Sequence, residues 1–447
     1  MKKIKRGILS FCLFYIIYVF LYGVVIKFTM PNEILFSVKT YIPETILGII
    51  CVMSVMCNGS KIQTNSALLI IWSLLVFIIN VINYGTGESM FYLLRDIYIP
   101  MLTFCFIKNV SFDEDDVEKF QKRLIVFSKA YLVVGLALCI MEQIKGWEWT
   151  SAFYTGYSFY GQDPVSKVKI AHNLGLLRAS SLTGNFATFG FYCLICYAVI
   201  TSFSTKKSIN FFWTILTAAC LILCTNKTAI VGLGIVLLFK CTVDFRKKSL
   251  KRNGIIIAFA CLIVFCSGIF LIGDSNPTDT NFFTGFVNCS DIWAGIFDEV
   301  SWTEMLFPYR QFMYSSGAEG GFSFWDNTYF YALFSQGIIG TCLWVWAIGR
   351  TMKKQMLISK NGRNRVYLQP LVILLCALSM TVNITQGRGF LSEFLLLLEI
   401  GSVIINRGEY LLELLKKWIK NILLSIRAWL QYKSMALCRA ERGLTTV

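Results

Sequence analysis

Long stretches of apolar residues alternate with short polar stretches along almost the whole chain. An α-helix needs about 20 mainly apolar residues to cross the hydrocarbon core of a bilayer, and most of these stretches approach that length. The pattern predicts an all-α, polytopic membrane protein of about twelve transmembrane helices. The predicted spans lie near residues 7–27, 41–57, 66–82, 91–107, 124–141, 184–203, 209–225, 228–240, 254–272, 326–349, 367–385 and 389–406.

Lysine and arginine residues mark one side of the predicted helix bundle. Most of the 42 basic residues fall in every second connecting segment, and the two densest runs are FRKKSLKRN and RTMKKQMLISKNGRNR. Because cytoplasmic loops of membrane proteins carry an excess of basic residues, we expect both termini to be cytoplasmic. The expected cytoplasmic segments are 1–6, 58–65, 108–123, 204–208, 240–253, 350–366 and 406–447.

Two of the expected outer loops are unusually long, at about 142–183 and 273–325. Loops of this length are usually either functional or disordered. Both loops contain many aromatic residues, whereas disordered segments are poor in them. We therefore expect two ordered loops with short helices that fold over the outer face.

The transmembrane domain, residues 1–406, is followed by a basic tail, residues 407–447. Apolar residues between Leu411 and Trp429 recur at helical spacing, and Lys416 and Lys420 lie on the opposite face. This pattern is typical of an amphipathic helix that lies on an anionic membrane surface. A helix that binds a partner protein is the alternative.

Composition excludes several other classes. The net charge of +16 does not indicate nucleic acid binding, because the basic residues recur between apolar runs. Nearly all of the 16 cysteines lie within apolar runs, so we expect them to pack between helices, including the pair Cys193 and Cys196. The single histidine, His172, excludes a multi-histidine metal site. The acidic run at 113–116 is interpreted as a solvated helix start. No metal and no cofactor are expected.

The chemically distinctive residues are cations on or near the outer face. Charges near a membrane core are expensive and usually mark function, and the planar guanidinium of arginine binds phosphate through parallel hydrogen bonds. The ordinary alternative for each cation is a salt bridge, such as Arg95 with Asp96, or a side chain that reaches lipid headgroups. These cations are Arg95, Lys167, Lys169, Arg178, Lys227, Arg310 and Arg388.

Three stretches of the sequence carry a resemblance to a known family. They are LLRASSLTGNFATFGFY, LILCTNKTAIVGLGIVLL and YRQFMYSSGAEGGFSFWDNTYFYALFSQGIIG. In order, spacing and sidedness, roughly residues 60–406 resemble the superfamily of O-antigen ligases and Wzy-type polysaccharide polymerases. The resemblance implies metal-independent, inverting glycosyl transfer on the outer face of the bacterial cytoplasmic membrane. The donor would be a glycan carried on a polyprenyl pyrophosphate.

The resemblance also implies roles for individual residues. The spacing of Arg310 and Gly321 matches an arginine–glycine pattern of some polymerases, whereas Arg178 and Gly190 are one residue further apart. Asp326 and Asn327 stand where ligases often have His-Asn, which favours a polymerase. The general base for the acceptor hydroxyl would be Asp326 or a loop carboxylate such as Glu319. The implied catalytic residues are Arg178, Arg310 and Asp326, and the implied substrate-binding residues are Arg95, Lys227, Asn327, Tyr329 and Arg388.

The implied partners are an undecaprenyl-type lipid-linked oligosaccharide, membrane lipids, a chain-length regulator and a flippase. Nucleic acid is not expected as a partner. An O-antigen-type ligase is the nearest alternative function. A flippase or transporter for lipid-linked oligosaccharides, a twelve-span carrier and a non-catalytic membrane scaffold remain as functions of other classes.

The charge pattern generates a topology prediction. A single cysteine introduced as Lys248→Cys into a cysteine-free variant should be protected from a membrane-impermeant thiol reagent in intact cells, because 240–253 is expected inside. A cysteine placed in 142–183 should react. Labelling of position 248 in intact cells would contradict the topology.

Overall fold

The computed structural model describes residues 1–39, 41–58, 62–84, 87, 90, 93–153, 172–173, 176–203, 207–242, 299–308 and 328–360. This part of the chain is predominantly helical. Its helices are α1 (Lys2–Phe20), α2 (Tyr22–Thr29), α3 (Glu33–Val38), α4 (Ile42–Asn58), α5 (Thr64–Tyr84), α6 (Ile99–Ile107), α7 (Glu114–Phe153), α8 (Phe186–Phe203), α9 (Lys207–Leu223), α10 (Lys227–Thr242), α11 (Trp302–Leu306) and α12 (Thr328–Lys360). A π-helical turn, Leu94–Tyr98, leads into α6.

Two helices in the described ranges are long and apolar enough to cross a membrane, Thr64–Asn83 in α5 and Asp115–Phe153 in α7. The helices α1 and α2 together form a third candidate, with a bend of 73° between them. Shorter apolar helices occupy Ile42–Cys57, Phe186–Thr201, Asn210–Leu223 and Ala332–Ala347. These features agree with the predicted all-α membrane protein. The predicted spans 254–272, 367–385 and 389–406 and the tail 407–447 lie outside the described residues.

Several helix boundaries differ from the predicted spans. The predicted span 7–27 is divided at Leu21, where the chain turns between α1 and α2. The predicted span 124–141 is the apolar part of α7, whose ends extend further because Glu, Gln and Lys are good helix formers. Both α7 and α12 are kinked at glycines with positive φ, Gly146 (79°) and Gly337 (70°).

The described parts of the two predicted long loops contain short regular elements. In the first loop, strands β1 (His172–Asn173) and β2 (Leu176–Leu177) pair antiparallel, and Ser181–Thr183 forms a 3₁₀ turn. In the second loop lies α11, whose N-cap Ser301 accepts a hydrogen bond from Glu304 N–H. Short helical elements are therefore found in both loops, as predicted.

An aromatic cluster joins α1, α7 and α8 in the core. The ring of Phe20 stacks on Tyr192 with centroids 4.0 Å apart and meets Tyr131 edge-on at 5.2 Å. Cys193 and Cys196 are fully buried free thiols in the same region. Their packing role between helices is confirmed.

At one end of the bundle, the N-terminus meets the acidic start of α7. Lys2 Nζ lies 3.3 Å from an Asp113 carboxylate oxygen, and Arg6 Nε lies 2.9 Å from Asp116. The two segments that the charge pattern assigns to one side therefore lie at the same end. The predicted helix start is correct, and Asp115 in it is exposed, whereas the Asp116 side chain is only 9% exposed and pairs with Arg6.

Polar contacts attach α11 and α12 to α5. The Trp72 indole N–H donates to the Gln336 carbonyl at 2.9 Å, and Asn80 Nδ2 donates to the Pro308 carbonyl at 2.8 Å. The Tyr98 hydroxyl donates to the Ser73 carbonyl at 3.1 Å. The first two bonds satisfy carbonyls at the kink of α12 and just after α11, and the third joins the π-helical turn to α5.

At the opposite end, α2 packs directly against the chain that precedes α8. A Cβ atom on Gly23 would overlap the backbone of Thr183 and Gly184 and would come within 2.8 Å of the Leu182 carbonyl oxygen. Only a residue without a side chain permits this approach.

This close approach predicts the effect of adding one methyl group. Gly23→Ala should destabilise the protein by about 1–3 kcal/mol, because backbone rather than a movable side chain must shift. Gly48→Ala is the matched control, since a Cβ atom there has nothing within 4 Å. The measurement is thermal unfolding of purified protein in detergent. Equal transition temperatures for both variants would contradict the packing.

Candidate functional site

Arg178 occupies a short non-helical segment between β2 and α8. Its guanidinium carbon lies 4.6 Å from the centre of the Phe186 ring, in the first turn of α8. The side chain is half-buried, and its Nε atom is buried without a hydrogen-bond partner among the described residues. No carboxylate of a described residue lies within ion-pair distance of it.

Burial lowers the pKa of the Arg178 guanidinium from its ordinary value, through loss of hydration of the cation. The group nevertheless stays charged at neutral pH, because arginine does not lose its proton in proteins. A partly desolvated cation with an unused donor is stabilised by an anion. This chemistry suits phosphate or carboxylate.

The backbone around Arg178 is fixed by α7 and by the end of α9. The Gln143 amide donates to the Leu177 carbonyl and accepts from Leu177 N–H at 3.1 Å. The Ala179 N–H donates to the Leu223 carbonyl at 3.3 Å. The neighbours of Arg178 on both sides are thus held in place.

A buried carboxylate holds the next two residues. Glu142 accepts from the N–H of Ser180 at 2.8 Å and from the N–H of Ser181 at 2.6 Å. Ser181 has a φ of 47°, a left-handed conformation that is unfavourable for a residue with a side chain. Its hydroxyl donates to the Gly135 carbonyl at 3.0 Å.

Two helix N-termini meet beside this segment. Asn185 caps α8 by accepting from Ala187 N–H (2.9 Å) and Thr188 N–H (3.2 Å). Asn226 caps α10 by accepting from Ala229 N–H (3.0 Å), and its amide also donates to the Ala187 carbonyl (2.8 Å). The N-terminal ends of helices carry partial positive charge. Both ends add to the positive potential near Arg178.

Gly190, which the sequence motif pairs with Arg178, has a packing reason to be glycine. A Cβ atom there would lie 2.6 Å from Asn226 Nδ2. The missing side chain lets Asn226 reach the first turn of α8.

Lys227 and Arg95 have different surroundings. Lys227 is the first residue of α10, directly after Asn226, and its side chain is outside the described set. Arg95 lies in the π-helical turn, and its Nε is 4.0 Å from a Glu44 carboxylate oxygen on α4. Both side chains of this pair are largely buried. Lys227 thus follows the cap residue whose amide reaches the first turn of α8, and Arg95 has a carboxylate neighbour of its own.

The remaining predicted site residues are not described. Tyr329 lies in the first turn of α12, and its side chain lies outside the described part of the structure. The described chain stops at Pro308, two residues before Arg310, and resumes at Thr328. The residues outside the described ranges are Arg310, Asp326, Asn327 and Arg388.

The sequence analysis missed Glu142, Gln143, Asn185 and Asn226 as parts of this site. It ended a span at Met141 because a charged residue follows, whereas α7 continues to Phe153. Glu142 and Gln143 therefore lie on a helix rather than in a loop, and the Glu142 side chain is buried. An acidic residue at the end of an apolar run was the available signal.

Comparison with known proteins adds no relative to this picture. No protein-family description matches the sequence, and no curated protein matches it.

Proposed function

We propose that the chain is a polysaccharide polymerase of the bacterial cytoplasmic membrane, with about twelve spans and both termini in the cytoplasm. It would join oligosaccharide repeat units that are carried on undecaprenyl-type pyrophosphate lipids, at the outer face. The observation that carries the proposal is the half-buried Arg178, whose Nε has no hydrogen-bond partner in the described part of the chain, beside the N-termini of α8 and α10.

The chemistry of the transfer calls for fixed positive charge. The acceptor hydroxyl oxygen forms a bond to the anomeric carbon of the donor while the bond from that carbon to the pyrophosphate oxygen breaks. The pyrophosphate leaves with the electron pair, and the hydroxyl proton passes to a base. Preorganised cations and helix dipoles stabilise the developing negative charge with little reorganisation. In this proposal Arg178 and Arg310 bind the pyrophosphate, and Asp326 or Glu319 is the base.

The other predicted residues take supporting roles in the proposal. Lys227 and Arg388 add positive charge near the pyrophosphate, and Asn327 and Tyr329 contact the sugars. Arg95 contributes less, because Glu44 already neutralises part of its charge.

A lipid-linked oligosaccharide flippase is the second candidate. It is favoured by one observation, the interrupted helices at the α1–α2 bend and at Gly337, since broken helices are common in transporters. An O-antigen-type ligase remains the alternative within the same chemistry.

Deletion of the gene separates these functions. A polymerase mutant should keep single repeat units on the lipid carrier at the outer face and should lose long chains, because only the joining step is missing. Electrophoresis of extracted glycans and of lipid-linked intermediates measures both. Long chains that persist unattached would indicate a ligase, and lipid-linked units confined to the cytoplasmic face would indicate a flippase.

Substitution of Arg178 tests the site. Arg178→Ala and Arg310→Ala should each reduce chain formation about a hundredfold or more, since one lost contact to the leaving group is worth about 2–4 kcal/mol in the transition state. Arg178→Lys should restore little activity if the contact is bidentate. The assay is chain formation per amount of folded membrane protein.

The control is Arg123→Ala, which removes an exposed arginine from the opposite end of α7. Normal polymer from well-folded Arg178→Ala and Arg310→Ala proteins would refute the pyrophosphate site. Normal polymer from Asp326→Asn alone would remove only its role as the base.

A further inference from the structure

Two consecutive side chains of α7 bind the backbone on both sides of Arg178. Gln143 bonds both polar groups of Leu177, the residue before it. Glu142 bonds the N–H groups of Ser180 and Ser181, which follow it. Gln143 also donates to the Leu223 carbonyl at 3.3 Å, so the same side chain ties α7 to the end of α9.

Burial of the Glu142 side chain costs solvation free energy. An ionised carboxylate loses most of its hydration there. Hydrogen bonds from two backbone N–H groups to a charged oxygen pair are short and strong, which offsets that loss. A carboxylate suits this place because its two oxygens accept from two adjacent donors at once.

The segment that Glu142 holds needs such a fixed partner. Ser181 has a positive φ and Gly184 a φ of 73°, so the chain turns sharply twice within four residues. Non-glycine residues keep a left-handed conformation only where the surroundings over-determine it. The Glu142 bonds and the Ser181–Gly135 bond supply that constraint.

We propose that Glu142, together with Gln143, is a positioning residue that holds the Arg178 segment in the geometry required for anion binding, without contacting the substrate. This role rests on the proposed function. It follows that anion binding by Arg178 depends on the Glu142 carboxylate on α7, which acts through the backbone of Ser180 and Ser181.

Hydrogen exchange of the full-length protein in detergent tests the structural half of this proposal. Glu142→Ala should speed exchange of the Ser180 and Ser181 amides by at least about tenfold, because each loses a strong bond that opposes local opening. Glu142→Gln should have an intermediate effect, since an amide has one accepting oxygen. Leu132→Ala, a buried truncation on the same helix, is the control for general destabilisation. Equal exchange of these two amides in Glu142→Ala and Leu132→Ala would overturn the proposal.

Activity tests the functional half. Glu142→Ala should lower the turnover of chain formation about a hundredfold, as expected for a catalytic group displaced by about an ångström. The double variant Glu142→Ala/Arg178→Ala should be no less active than Arg178→Ala, because both changes remove the same contribution. A further additive loss in the double variant would overturn the positioning role.

The two proposals fail in different ways. Full activity of Arg178→Ala would overturn both the anion site and its positioning by Glu142. An inactive Arg178→Ala protein beside a fully active Glu142→Ala protein would overturn the positioning role alone.

Discussion

The chain between Leu177 and Asn185 contains no α-helix and is mostly buried, so its backbone polar groups must find partners inside the protein. A helix satisfies these groups by itself, but this segment depends on side chains and on carbonyls of other elements. Gln143, Glu142 and the Leu223 carbonyl provide them. These bonds connect α7, the end of α9 and the start of α8, and they fix the position of the Arg178 backbone.

Close backbone packing makes these connections possible. The missing side chain of Gly23 lets α2 lie against the Thr183–Gly184 turn, and the missing side chain of Gly190 admits Asn226. The bend of 73° between α1 and α2 directs α2 towards this turn. The irregular segment, the glycine contacts and the helix caps therefore form one arrangement, with the half-buried Arg178 at its edge.

Sequence patterns predicted the helices well but not their limits. Apolar runs identified α5 and the middle of α7 because hydropathy measures the part of a helix that suits lipid. They did not show that α7 begins at Glu114 and ends at Phe153, since charged residues form helices equally well. The break between α1 and α2 at Leu21 could not be predicted either, because an apolar stretch has the same composition whether its helix is straight or bent.

Some residues of the candidate site could be predicted from the sequence, and others could not. Arg178 stood out in the sequence because a cation beside an apolar span is unusual. Glu142 and Asn226 could not be assigned, because their partners lie 38 and 39 residues away in the chain and depend on how helices pack. The contact of Arg95 with Glu44 on α4 was missed for the same reason, and the side chain of the predicted partner Asp96 lies outside the described residues.

The polar contacts also differ in how much later than the first residue its bonding partner is synthesised and inserted into the membrane. Glu142 meets its backbone donors within the next helical hairpin, so α7, the turn and α8 can complete their bonds soon after synthesis. Asn80 and Trp72 on α5 bond residues that lie 228 and 264 positions later. Unpaired polar groups are unfavourable against lipid. Until α12 is made, the Trp72 indole N–H therefore needs another partner, whereas Asn80 can already bond the Val76 carbonyl of its own helix.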